Sequence, residues 1–494
     1  MSNKTQTVQN DRETESLEEV PQEKTSQTQH TVMVHGQEIV YTATAGTIIL
    51  KDEDGKAKAS MFYVAYARDQ GEAKASVRPI TFSFNGGPGS SSVWLHLGLL
   101  GPRRVLMDDD GNPPPPPYRL VDNAYSLLDV TDLVFIDPVT TGYSRAVSEE
   151  EEKKFHDFDK DIESVGEFIR LYTTRHHRWS SPKFLIGESY GTTRAAGLAG
   201  HLQERQGMYL NGIMLISTIL NFQSGYFHVG NDLPHILFLP TYSATAWYHR
   251  QLDPELQEDL DRTLAEVEEF ALSDYALALM RGSALPPQER IRVVAKLARY
   301  TGLSEAYIEQ ADLRIEIHRF AKQLLRSQHR SVGRLDSRFT GIDRDSAGEK
   351  FDFDPSYAAI QGPYTACLND YVRGELGFEI DITYEILTDR VRPWSYGEFE
   401  NRYVNTAETL RKAMSQNPHL KVFVANGYFD LATPYFATRY TFDHLGLDPS
   451  LQDNVIMAHY RAGHMMYIHR PSLEMLKEDL SRFIELSVQA VGTG

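Results

Sequence analysis

The sequence predicts an α/β protein with a mostly parallel central sheet, antiparallel hairpins on its N-terminal side and a mainly helical cap inserted into it. Three observations lead there. Short continuous apolar runs recur along the chain, as strands buried on both faces require. Helical periodicity lies between several of these runs, which is the alternation of an α/β domain. One long internal stretch then breaks that alternation with Leu, Ala, Glu and Arg at helical spacing.

Taken in order, residues 1–30 mix Thr, Gln, Glu and Lys with scarcely any apolar side chain. They read as a disordered polar tail and contain no stretch of the kind a signal peptide needs. From 31 to 68 apolar and polar residues alternate between Gly36, Gly46 and Gly55, the pattern of antiparallel hairpins. Buried strands are expected at 80–84 (ITFSF), 133–136 (LVFI), 184–186 (FLI), 213–216 (IMLI), 422–425 (VFVA) and 455–458 (VIMA). A helix is expected over 159–175, where Ile162, Val165, Phe168, Ile169 and Tyr172 share one face. The domain expectation is a core over 31–221, a helical cap over 222–367 and the rest of the core over 368–494. No internal repeat is visible, which argues against solenoids and propellers.

The composition narrows the function classes. Of 494 residues, 41% are hydrophobic and 24% charged, an ordinary balance for a chain with a large core. A formal charge of −18 opposes binding to nucleic acid or anionic lipid. No apolar run is long enough to span a bilayer. The single cysteine, Cys367, forbids an intrachain disulfide and is compatible with a reducing compartment, with the cytoplasm favoured. The oligomeric state is not set by the sequence, and a homodimer is admitted.

The strongest chemical signal is Gly187-Glu188-Ser189-Tyr190-Gly191, a G-x-S-x-G between an apolar run and a helix-like stretch. A serine on a tight strand-to-helix turn needs small residues two positions to either side, because strand and helix come into near contact there. The alternative is a glycine-bounded turn with an unremarkable hydroxyl. A serine hydroxyl becomes a nucleophile when a base removes its proton, and the base needs an anion to orient it. Asp430, after the run VFVANGYFD, and His464, after VIMAHYRAG, follow Ser189 in the order that the α/β-hydrolase fold requires. Either alone is a weak signal, since most aspartates in turns form turns and most histidines are not bases. Backbone donors for a developing oxyanion are expected in the glycine turn Asn85-Gly86-Gly87-Pro88-Gly89. No phosphate-binding glycine motif and no H-E-x-x-H occurs, so neither a cofactor nor a metal is expected.

Together the blocks FNGGPGSSS, LGP, NAYSLLDVTDLVFIDPVTTGYS, GESYG, NGYFD and AGHM, in that order from about residue 82 to 464, resemble the serine carboxypeptidase family, the S10 peptidases. The resemblance implies a serine-type carboxypeptidase acting on peptides. It assigns Ser189 as nucleophile, Asp430 and His464 as the other triad members, and the backbone N–H groups of Gly87 and Tyr190 as the oxyanion hole. It further implies that Asn85 and Glu188 bind the substrate's C-terminal carboxylate, with a protonated glutamate donating to the anion and activity favoured by acid. The chain departs from the family at three points: Leu99 replaces a second acidic residue, Ser90 stands where secreted relatives carry cysteine, and the usual Gln after Asp137 is absent. Leu99 keeps open an esterase, amidase or acyltransferase on the same triad. A catalytically silent binding protein is the reading from a different class.

Three further features receive bland readings. The five prolines at 113–117 form a stiff extended loop that could border the site. Asp157, Asp159 and Asp161 lack the glycine of a calcium loop and read as a solvated helix start. The adjacent His176 and His177 cannot share one helical face, which disfavours zinc.

Overall fold

The computed structural model describes residues 22–69 and 77–489. Its centre is a ten-stranded sheet. Nine of its strands are β1 (Thr25–Val34), β2 (Gln37–Lys51), β3 (Ala57–Arg68), β4 (Ile80–Phe84), β5 (Asp132–Ile136), β6 (Lys183–Glu188), β7 (Gly212–Ile216), β8 (Lys421–Gly427) and β9 (Val455–Tyr460). They lie in the order β1-β2-β3-β5-β4-β6-β7-β8-β9, and the short strand Arg145–Ala146 pairs beside β3. The first three strands are antiparallel to their neighbours. From β5 to β9 every pairing is parallel. This is the mostly parallel α/β-hydrolase arrangement with N-terminal hairpins, and each apolar run named above is one of its strands.

Continuous hydrophobicity is explained by burial on both faces. On β6, Phe184 and Ile186 enter one apolar cluster while Leu185 enters the other. On β8, Phe423 and Ala425 divide from Val422 and Val424 in the same way. One face is covered by helix α1 (Phe158–Arg175), which buries the five residues expected, and by helix α2 (Tyr190–Gln206). Asp157 caps α1 by accepting the N–H groups of Asp159 and Lys160. The opposite face is covered in part by the C-terminal helix Arg470–Gln489 through Leu473, Leu476, Leu480 and Phe483.

Two expectations are corrected. The polar tail expected over 1–30 does not hold for its last residues, because Thr25–His30 belong to β1 and pair with Tyr41–Gly46 of β2. Their polar character fits an edge strand whose side chains alternate between exposed and half-buried. Residues 1–21 lie outside the described residues. The boundary expected at Cys367 falls inside one continuous helix, Pro355–Gly374, whose Tyr364, Cys367, Leu368 and Tyr371 join a sheet-side cluster.

Between β7 and that helix the chain is mainly helical, including Leu233–Tyr248, Leu260–Phe270 and Pro287–Thr301. These helices build a third apolar cluster with Leu237, Tyr242, Leu264, Val267 and Leu297. The same cluster takes in Phe429, Leu431 and Tyr435, which follow β8. The insertion therefore packs onto the loop that carries Asp430. Among the described residues no helix is long and apolar enough to cross a membrane.

Candidate active site

β6 passes into α2 through a single residue, Ser189, with φ 61° and ψ −128°. Positive φ is unfavourable for any residue with a Cβ, so surrounding contacts must hold it. The Ser189 N–H donates to the carbonyl of Ile216 at 3.0 Å. A Cβ on Gly187 would lie 2.1 Å from the Gly191 carbonyl oxygen, and one on Gly191 would lie 2.9 Å from that of Phe84. Both glycines of the motif are therefore required by close approach of strand and helix.

The carboxyl ends of β8 and β9 supply the other two groups. His464 Nδ1 lies 2.7 Å from Asp430 Oδ2. Asp430 Oδ1 accepts the N–H groups of Ala432 at 2.7 Å and Thr433 at 3.0 Å, and Oδ2 accepts the Thr433 hydroxyl at 2.7 Å. With its Nδ1 proton directed at a carboxylate, His464 keeps the Nε2 lone pair for accepting a proton. Burial alone would raise the Asp430 carboxyl, but the facing His464 and the Thr433 donors hold it below the usual range. For His464 burial acts downward, and the charge and hydrogen bond of Asp430, with Glu188 assisting, raise it overall.

Ser189 and His464 both line a cavity of about 370 Å³, along with Asn85, Gly86, Gly87, Glu188, Arg334, Leu335 and Asp354. That volume is in the range of small-ligand sites. Ser189 Oγ makes no hydrogen bond among the described residues, leaving it open to the cavity. The N–H groups of Gly87 and Tyr190 likewise donate to no protein acceptor among the described residues. Gly87 has φ 106°, and Tyr190 opens α2, where the first amides of a helix lack internal partners. Both can stabilise an anion beside Ser189.

Glu188 is buried and bridged on both oxygens. Asn85 Nδ2 donates to Oε1 at 3.0 Å, and the Tyr467 hydroxyl donates to Oε2 at 2.5 Å. Burial dominates and pushes its carboxyl up to about 7, against the lowering effects of His464 and of the Tyr467 hydrogen bond. Leu99 is fully buried in an apolar cluster, and the hydroxyl that donates to Glu188 is that of Tyr467. Asn85 Oδ1 in turn accepts the Leu95 N–H at 3.1 Å.

All seven residues singled out in the sequence thus meet at one edge of the sheet. Sequence reasoning missed Thr433 and Tyr467. They lie three residues after Asp430 and His464 respectively, but neither carries a motif of its own. It also misread Asp161, which is not solvated. That residue is buried and pairs with the buried Arg194 at 2.8 Å, while Arg194 also donates to the Asn85 carbonyl. The prolines at 113–117 do not line the cavity. Among the described residues no group of three or more His, Cys, Asp or Glu could hold a metal ion.

The serine carboxypeptidase family model matches residues 43–477. No curated protein sequence matches the chain. Among solved structures, the chain is similar to a proline iminopeptidase of Mycobacterium smegmatis at 12% identity and a TM-score of 0.34, over 94% of this chain and 100% of that one. A thermostable carboxyl esterase of Bacillus coagulans matches at 12% identity and 0.36, over 90% and 98%. A monoglyceride lipase variant from Saccharomyces cerevisiae matches at 8% and 0.36, over 89% and 94%. Resemblance this distant carries no functional weight.

Proposed function

Because the chain belongs to the serine carboxypeptidase family, we propose that it hydrolyses C-terminal residues from peptides through an acyl-enzyme on Ser189. The observation that carries this reading is the convergence of Ser189, the Asp430-bound His464 and the Asn85–Glu188 pair on one cavity. His464 Nε2 takes the Ser189 proton as Oγ attacks the scissile carbonyl. The oxyanion then sits against the N–H groups of Gly87 and Tyr190. The proton passes from His464 to the leaving amine, the C–N bond breaks, and water repeats the sequence on the ester to release the acid. Asn85 and a protonated Glu188 hold the terminal carboxylate, since a neutral carboxyl donates to an anion where a charged one would repel it. The insertion that follows β7 lines the cavity with Arg334, Leu335, Asp354, Tyr357 and Ile360 and so selects the substrate's side chains.

An esterase, amidase or acyltransferase on the same triad is favoured by one observation: both Glu188 oxygens are already engaged and Leu99 offers no second acid. Blocked dipeptides as free acids and as C-terminal amides separate the two readings. A carboxypeptidase cleaves the acid at least about tenfold faster in kcat/KM, the yield of one good charge-assisted hydrogen bond. Equal rates would remove Asn85 and Glu188 as carboxylate binders.

A further inference from the structure

The catalytic cavity contains one cation that has no partner among the described residues. Arg334 lines it beside Ser189, Glu188 and His464. Among the described residues its guanidinium makes neither a hydrogen bond nor an ion pair. Nearby guanidinium groups are spoken for: Arg338 pairs with Asp336 at 2.7 Å and Arg392 with Asp389 at 3.0 Å. Asp354 also lines the cavity, but its oxygens accept neutral donors, namely the N–H groups of Arg334, Leu335 and Ser356 and the Ser356 hydroxyl.

The backbone around Arg334 is fixed, which gives its side chain a defined origin. Arg334 and Leu335 are tied to Asp354, and the Leu335 carbonyl accepts the His464 N–H at 2.7 Å. The guanidinium is close enough to His464 for its charge to oppose protonation of the imidazole. A half-buried, unpaired guanidinium held at a rigid site is a ready fork for a carboxylate. It would add to Asn85 and Glu188, because Glu188 presents two oxygens already accepting hydrogen bonds and can offer an anion only its own proton.

We propose that Arg334 pairs with a carboxylate of the substrate and makes the cavity selective for acidic over neutral ligands. This deepens the carboxypeptidase reading and rests on Ser189 acting on acyl substrates bound there. Two parts of a peptide carry the required chemistry: the terminal α-carboxylate, and an aspartate or glutamate side chain flanking the scissile bond.

The test compares wild type, Arg334→Gln and Arg334→Lys on paired substrates. One pair is a blocked dipeptide as free acid and amide. A second differs only in glutamate against glutamine before the scissile bond, and a third in the same change after it. Matching ester-linked analogues of each are run in parallel. At least one acid-to-neutral ratio of kcat/KM should fall about tenfold or more in Arg334→Gln and fall less in Arg334→Lys, which keeps the charge without the fork. The pair that responds identifies which carboxylate is bound. Ratios unchanged in Arg334→Gln across all pairs would overturn the proposal, as would a loss in Arg334→Lys equal to that in Arg334→Gln. If peptides resist cleavage while esters show the Arg334-dependent ratio, the peptidase reading fails and the role of Arg334 stands.

Discussion

In the proposed mechanism Glu188 and His464, which line one cavity, have opposed protonation requirements, and these set a pH profile. His464 must be neutral to accept the Ser189 proton, so kcat/KM rises as pH passes upward through its raised pKa. Glu188 must be protonated to donate to a substrate carboxylate, so kcat/KM for free-acid peptides falls as pH rises through about 7. The profile should be bell-shaped. Glu188→Gln keeps the site neutral at every pH and removes a charge that raises His464. Its profile should lose the alkaline limb and move the acid limb to lower pH, and two unshifted limbs would contradict these roles. Tyr467→Phe removes a hydrogen bond that lowers Glu188, so its alkaline limb should move to higher pH in the same titration. The convergence of Ser189, Asp430 and His464 on one sheet edge was legible in the sequence because all three follow strands in chain order. Tyr467 and Thr433 were not, because a hydroxyl that supports another residue's carboxylate leaves no spacing rule behind.

The strand-turn-helix element around Ser189 depends on contacts from outside itself. Arg194 projects from α2 to Asp161 on α1 and to the Asn85 carbonyl after β4, tying together α1, α2 and the glycine turn after β4, the last two of which carry Tyr190 and Gly87. Arg194→Met leaves Asp161 buried and unpaired, which should cost about 3–5 kcal/mol in urea unfolding. Adding Asp161→Asn should recover part of that loss, and strictly additive losses would count against direct coupling. Gly187→Ala should abolish activity and lower stability, since its Cβ would meet backbone at 2.1 Å. The two glycines could be read in advance because close backbone approach restricts residue type at fixed positions. The Arg194–Asp161 pair could not, because a partner 33 residues away looks like one more surface acid. The start of β1 was missed for a related reason: a polar edge strand has the composition of a tail.

At the level of the whole molecule, the insertion does more than cover the sheet. Its segment 334–336 holds the base loop, with the Leu335 carbonyl accepting the His464 N–H and Asp336 Oδ2 accepting the Gly463 N–H at 3.1 Å. The parallel sheet was visible in the sequence because both-face burial demands unbroken apolar runs. The boundary at Cys367 was misplaced because the helix Pro355–Gly374 runs on past it and packs along its length, from Ile360 to Val372, on one apolar cluster. That helix also supplies a probe of global stability. Cys367 is buried, and burial pushes its thiol up to about 11, so native protein should react with a thiol reagent only at the rate of unfolding. Rapid labelling without loss of structure would show that this helix opens independently. Catalysis as proposed requires Ser189 to be the nucleophile and His464 to activate it. An active-site phosphonate followed by peptide mass mapping tests this directly. Wild type should carry a single adduct on Ser189, and His464→Ala should label at least about a thousandfold more slowly. An adduct on another residue, or undiminished labelling without His464, would contradict it.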